Sequence, residues 1–225
     1  TLPLYQKKAT MMDALCHAIE SFWSVNSTEK SKEYSRATIK GVLENMRGYL
    51  ENTEEGNAGM LKAAHTAGQA INITQTTAGH AMCYKITSLF RSAHGHAAIL
   101  CDRVLFPWMV ENTDKCIDPR GEEYLKVTLD EIGQVMGCED AKAGVEKLKN
   151  IFDSLGLEVP TTTQEFKDYL IAIRDNDANG DGDPTNEIPL AGGNIENLLS
   201  TFYGSFGLQN RGPSQSWVDV DETTG

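Results

Sequence analysis

From residue 8 to residue 154, apolar side chains recur every three or four positions, and no stretch alternates apolar with polar residues as a half-buried strand does. This pattern restricts the first 155 residues to an all-helical fold. Residues 8–24, 29–51, 60–74, 80–90, 97–112, 120–137 and 139–154 each read as a helix. In the second of these, Tyr34, Ile39, Val42, Leu43, Met46 and Leu50 form the apolar stripe. Ser27 or Thr28 can cap its start, and Glu29 sits in the first turn, where a carboxylate favours the helix dipole. The Ala-rich stretch 60–74 reads as a tightly packed interior helix. ENTEEGNAG (51–59) and RSAHGH (91–96) are expected breaks, and Pro107 is expected to kink or end its helix.

Beyond residue 155 the character of the chain changes. From Gly156 to Gly225 there are twelve Asp and Glu against three Lys and Arg, so about nine of the twelve net negative charges lie there. The five cysteines (Cys16, Cys83, Cys101, Cys116 and Cys138) all precede that segment. Their odd number and the absence of a CxxC pair favour reduced thiols of a cytoplasmic protein over a disulfide framework or a zinc knuckle. A net charge of −12 argues against a nucleic-acid partner, which calls for a basic face. No apolar run approaches the roughly 20 residues that a membrane-spanning helix needs. The first residues, TLPLYQKKAT, have neither an initiator Met nor the apolar core of a signal peptide, so the chain reads as a piece or a processed product. The sequence leaves an oligomer open.

Within the first helix, MMDALCHAIES (11–21) sets Asp13 and His17 one turn apart on one face, flanked by Met11, Met12, Leu15 and Ile19. The chain has three further histidines in small-residue surroundings: His80 in TAGHAM, and His94 and His96 in SAHGHA; a fifth, His65, reads as structural. A histidine in an apolar helix is more often a core residue held by a neighbouring carboxylate than a ligand, and spacing alone leaves both readings open. As a set, Asp13, His17, His80 and His94 would suit Fe(II) or Zn(II) with a coordination position left for substrate. Gly79 and Gly95 beside two of them permit close approach.

Taken in order, MMDALCHAIESFWS, AAHTAGQAIN and TTAGHAMCYKITSLFRSAHGHAAIL resemble the iron-containing alcohol dehydrogenase family, and specifically its C-terminal helical metal-binding domain, over about residues 5–155. The resemblance implies that Asp13, His17, His80 and His94 hold the metal. It also implies hydride transfer between a small alcohol or aldehyde and NAD(P), with the metal as Lewis acid. Many members carry another histidine, a proton relay, where this chain has Tyr84, so the Tyr84 phenol is the candidate relay. Members usually have Pro where this chain has Ala93. SFWSVNSTEKSKEYS, AINITQTTAGHA and HGHAA look most like the phosphonoacetaldehyde reductase branch, which implies a small anionic aldehyde that Lys85 or Arg91 could meet. The family's active site lies between this domain and a nucleotide-binding one. The 225 residues contain no strand followed by a G-x-G-x-x-G turn and a helix, so the expectation is a metal-binding half that does not bind NAD(P) well or turn over substrate alone.

The remaining segment, 156–225, is expected to be a loop-rich acidic tail with two short helices (163–174 and 194–207) and a strand and turn near its end. In DANGDGDPTNEIPL, Asp177, Asn179, Asp181 and Asp183 alternate around glycines, followed by Asn186 and Glu187, a candidate Ca(II) loop. Ile188 at the twelfth position rules out an EF-hand. The segment resembles a slice of an extracellular sugar-binding lipoprotein of ABC transporters, a secreted class. The two resemblances meet near LGLEVP (155–160), a join that a chimera, an assembly artefact or a generated sequence would each account for, and they leave a solute-binding fragment or an inactive chimeric helical protein as the alternatives to a dehydrogenase half. The expected fold class is thus mainly α: a helical bundle over 1–155 and an acidic tail over 156–225.

Overall fold

The computed structural model describes residues 2–90, 92–157, 208–209 and 218–219. By their internal contacts the residues fall into two units, 1–87 with 92–157, and 88–91 with 158–225. The first is a bundle of helices: α1 (Leu4–Trp23), α2 (Glu29–Leu50), α3 (Glu54–Thr74), α4 (Ala78–Phe90, its last three residues in the second unit), α5 (His94–Glu111), α6 (Glu122–Val135) and α7 (Ala141–Ser154). A 3-10 turn, Thr113–Lys115, follows α5. Of the second unit, the described residues include an antiparallel pair, β1 (Leu208–Gln209) with β2 (Val218–Asp219). The expected helices at 163–174 and 194–207, and all six candidate calcium ligands, lie outside the described residues.

α1 is the axis of the bundle. Met11, Met12, Ala14, Leu15, Cys16, Ala18, Ile19 and Phe22 are all buried, so the helix is apolar nearly all round and packs against α2, α3, α5 and α6. Phe106, Ile99, Ile39, Leu129, Ile132, Met136 and Leu148 complete the core around it. The turns are fixed by local chemistry. Thr28 Oγ1 accepts from Ser31 N while Ser31 Oγ accepts from Thr28 N, a reciprocal cap on α2. Asp140 Oδ1 accepts from Ala143 N at the start of α7.

One sequence expectation is corrected and another is narrowed. α3 begins at Glu54, inside the stretch read as a turn, because Thr53 Oγ1 accepts from Gly56 N and Glu54 and Glu55 occupy the first turn, where their charge suits the helix N-terminus. Pro107 does not end α5, which continues to Glu111. Among the described residues no helix is long and apolar enough to cross a membrane.

Candidate metal centre

Asp13 and His17 lie one turn apart on α1, His80 lies in the first turn of α4, and His94 is the first residue of α5. The Asp13 carboxylate sits among all three rings. Its Oδ2 is 3.8 Å from His17 Nδ1, and its Oδ1 is 3.5 Å from His80 Nε2 and 3.8 Å from His94 Nε2. His17 and His80 stack with centroids 4.4 Å apart, and His80 and His94 are 5.2 Å apart. Asp13, His17 and His80 each offer a ligand atom within 4.8 Å of the others. His94 stands at the edge of this group, with its side chain 37% exposed against 1% for His80.

Asp13 Oδ1 and His80 Nε2 are both buried and make no hydrogen bond. Buried polar atoms are nearly always satisfied, and these two, facing each other across 3.5 Å, can be satisfied either as an imidazolium–carboxylate pair or by an ion held between them. Two ligands around a tetrahedral ion with bonds of about 2.1 Å lie about 3.4 Å apart. One carboxylate and three imidazoles are a suitable donor set for such an ion, and the residues present fit it.

Burial opposes the charged forms of these groups, and their neighbours decide the outcome. For Asp13, the interaction with His80 and the charges of His17 and His94 outweigh burial and hold the carboxyl below its usual range. For His17 burial prevails and lowers the imidazole. For His80, burial is overcome by the carboxylates of Asp13 and Glu20, and its pKa rises to about 9.

The site's rear wall was not read from the sequence. Glu20, fully buried on α1, bonds His80 Nδ1 through Oε1, which also accepts from His80 N at 3.1 Å. Its Oε2 accepts from Thr77 N and from Thr77 Oγ1 at 2.7 Å. Asp102 of α5 is equally buried behind it, and burial followed by the charge of Glu20 pushes its carboxyl well above the usual range. Gly79 makes this wall compatible with α4: a Cβ there would fall 2.0 Å from Asp102 Oδ1 and 2.7 Å from Glu20 Oε1. The available signal is a carboxylate at position 20, seven residues after Asp13 on the same helix.

Other candidates are placed differently. His96 is buried with Nδ1 3.1 Å from the Tyr5 hydroxyl, and that hydroxyl accepts from Ala93 N at 3.0 Å. A proline at position 93 would have no N–H to give. His65 is exposed on α3. Tyr84 is 58% exposed on α4, its ring 5.4 Å from that of His94. Lys85 is exposed, and Arg91 lies outside the described residues.

The Fe-containing alcohol dehydrogenase family, C-terminal, matches residues 7–200. The chain belongs to this family. The match continues through much of the acidic tail, and lends no support to the likeness of that tail to a sugar-binding lipoprotein. Among curated relatives, phosphonoacetaldehyde reductase of Streptomyces viridochromogenes is 29% identical over 150 residues, 65% of this chain and 38% of that protein. Long-chain-alcohol dehydrogenase 1 of Geobacillus thermodenitrificans is 30% identical over 104 residues, 45% of this chain and 25% of that protein. The chain therefore spans well under half of the length of these relatives. The fold is similar to part of an iron-containing alcohol dehydrogenase from Thermococcus thioreducens, with a TM-score of 0.62 at 23% identity over 70% of this chain and 39% of the other.

Proposed function

We propose that this chain is the metal-binding part of an NAD(P)-dependent alcohol dehydrogenase or aldehyde reductase, with the metal held by Asp13, His17, His80 and His94. The observation that carries this reading is the pair of buried, unbonded atoms, Asp13 Oδ1 and His80 Nε2, facing each other across 3.5 Å with two more imidazoles beside them. Family membership supports iron, and the donor set would take Fe(II) or Zn(II). Bound there, the ion would act as a Lewis acid toward an alcohol or carbonyl oxygen. The hydride belongs to the nicotinamide, for which these 225 residues carry no Gly-rich motif.

The residues themselves have separate tasks in this reading. Asp13 supplies the negative charge, His17 and His80 wall the site, and His94 closes it on the exposed side. Tyr84, near His94 and open to solvent, would pass a proton between substrate and water. The substrate would be a small alcohol or aldehyde; the relative named phosphonoacetaldehyde reductase supports an anionic one, with Lys85 as its counter-charge. In this reading the metal-binding domain is residues 1–155, although the family match to residue 200 weighs against a wholly foreign tail.

The test is the metal content of the chain purified anaerobically without added metal, measured by elemental mass spectrometry beside His80→Ala. A stoichiometric amount of iron or zinc in the parent and little in the variant, with equal helicity by circular dichroism, is expected. Equal metal in both would remove His80 from the site, and no metal in either would remove the site.

A further inference from the structure

Glu20 is the only group that touches both His80 and the residue preceding α4, among the bonds described. It is fully buried, and an isolated buried carboxylate is costly unless its oxygens are used. Here both are used. Two of its partners, Thr77 N and His80 N, belong to the start of α4, where backbone N–H groups have no partner within the helix. Glu20 of α1 therefore caps α4 from outside, doing for that helix what a Ser or Thr usually does within its own chain segment.

The fourth partner has a chemical consequence. An ionised carboxylate can only accept, so the nitrogen facing it, His80 Nδ1, must carry a proton. In the neutral ring the lone pair is then on Nε2, the atom turned toward Asp13 Oδ1. Glutamine could not substitute. With Thr77 N on one oxygen and His80 N on the other, either amide orientation would set an NH2 against a backbone N–H.

We propose that Glu20 is the positioning residue of the metal centre: it fixes the His80 ring with Nδ1 protonated and Nε2 bare, and ties the helix bearing His80 to the helix bearing Asp13 and His17. This rests on the metal reading above. Removing such a partner typically lowers metal affinity about 10–100-fold.

The experiment uses the full chain and zinc. Zinc affinity is measured by competition with a chromophoric chelator for the parent, Glu20→Gln and Thr77→Val, with helicity checked by circular dichroism. Histidine 15N spectra of the zinc-loaded parent report which His80 nitrogen carries the proton. Expected are a Nδ1-protonated His80 in the parent, a loss of about 10–100-fold in Glu20→Gln, and a smaller loss in Thr77→Val, which removes one hydroxyl contact of Glu20 and the acceptor of Trp23 Nε1 but leaves the bond of Glu20 to His80. Parent-like affinity in Glu20→Gln, or a zinc-loaded parent without the Nδ1 proton, would overturn the positioning role and leave the metal site standing; the second result needs no folded variant. A parent that does not bind zinc would overturn the metal reading itself, and the inference with it.

Discussion

Gly95→Ala tests the geometry of the site through backbone packing. Gly95 is the second residue of α5 and lies against α1. A Cβ there would fall 2.0 Å from the Ala9 carbonyl oxygen and 2.6 Å from Asp13 Cβ, where ordinary contact begins at 3.4 Å. The Ala9 oxygen is backbone and cannot swing aside, so the start of α5 has to retreat by the difference, about 1.4 Å. His94 is the adjoining residue. A retreat of that size along the line to Asp13 stretches their 3.8 Å separation to about 5 Å. Metal sites tolerate departures of only about 0.2 Å in ligand distance. The global cost is smaller than it looks: overpacking costs about 1–3 kcal/mol, and Ala recovers about 1 kcal/mol over Gly in a helix. Net destabilisation is therefore about 0–2 kcal/mol, while zinc affinity falls at least as far as on loss of a ligand's support, about 10–100-fold. Thermal unfolding with and without zinc separates the two effects, because each tenfold loss of affinity removes about 1.4 kcal/mol from the zinc-dependent stabilisation under excess metal. Parent-like zinc affinity together with a parent-like Tm would refute the reasoning, since it would mean that α5 is free to move away from α1 without disturbing His94.

Two other outcomes follow from the packing. Phe106 is fully buried, its ring 5.8 Å from that of Trp23, and Phe106→Ala is expected to cost about 3–5 kcal/mol in urea unfolding at unchanged m; a cost below about 1 kcal/mol would mean that the cavity collapses freely. Arg120 binds Asp118 while donating to the Ser24 and Ser27 carbonyls, and that bond holds the Asp118 carboxyl below its usual range. Its folded pKa lies below its unfolded one, so its contribution to stability is present above the unfolded value of about 3.9 and is lost as pH falls from there through the folded value. Asp118→Asn should therefore flatten the acid limb of the stability curve below about pH 4, and an unchanged slope there would remove the ion pair from the account.

The helices were legible because burial in this bundle follows local periodicity. The start of α3 was misjudged because acidic residues and glycine look like a turn in isolation, and only the Thr53 cap makes them a first turn. Of the two outcomes expected at Pro107, an end to the helix does not occur, and Phe106 beside it is anchored in the core. In the site, Asp13 and His17 stand out by their one-turn spacing and His80 and His94 by their small-residue surroundings, while the ligand role of the set is implied by the family resemblance. Glu20 and Asp102 carry no such spacing. Their partners lie on other helices, Thr77 and His80 being 57 and 60 residues from Glu20, so their meaning exists only after folding.

The exposure of the four candidate ligands follows an order that bears on what the centre is for. His80 is 1% exposed, His17 19%, Asp13 26% and His94 37%. The buried end is closed by Glu20 and Asp102, both fully buried, and the open end carries Tyr84, 58% exposed beside His94. Structural metal sites are enclosed on all sides, while catalytic ones keep a position accessible from outside. A metal held here, with a hydrogen-bonded rear and a solvent-facing front, would match the second kind, as the proposed function requires. The same gradient explains why the support is placed where it is. His80, with no solvent to satisfy its far nitrogen, needs a dedicated acceptor, and Glu20 provides it; the more exposed His17 and His94 can find water. In the proposed reading, the exposed side beside His94 and Tyr84 is where a substrate would reach the metal.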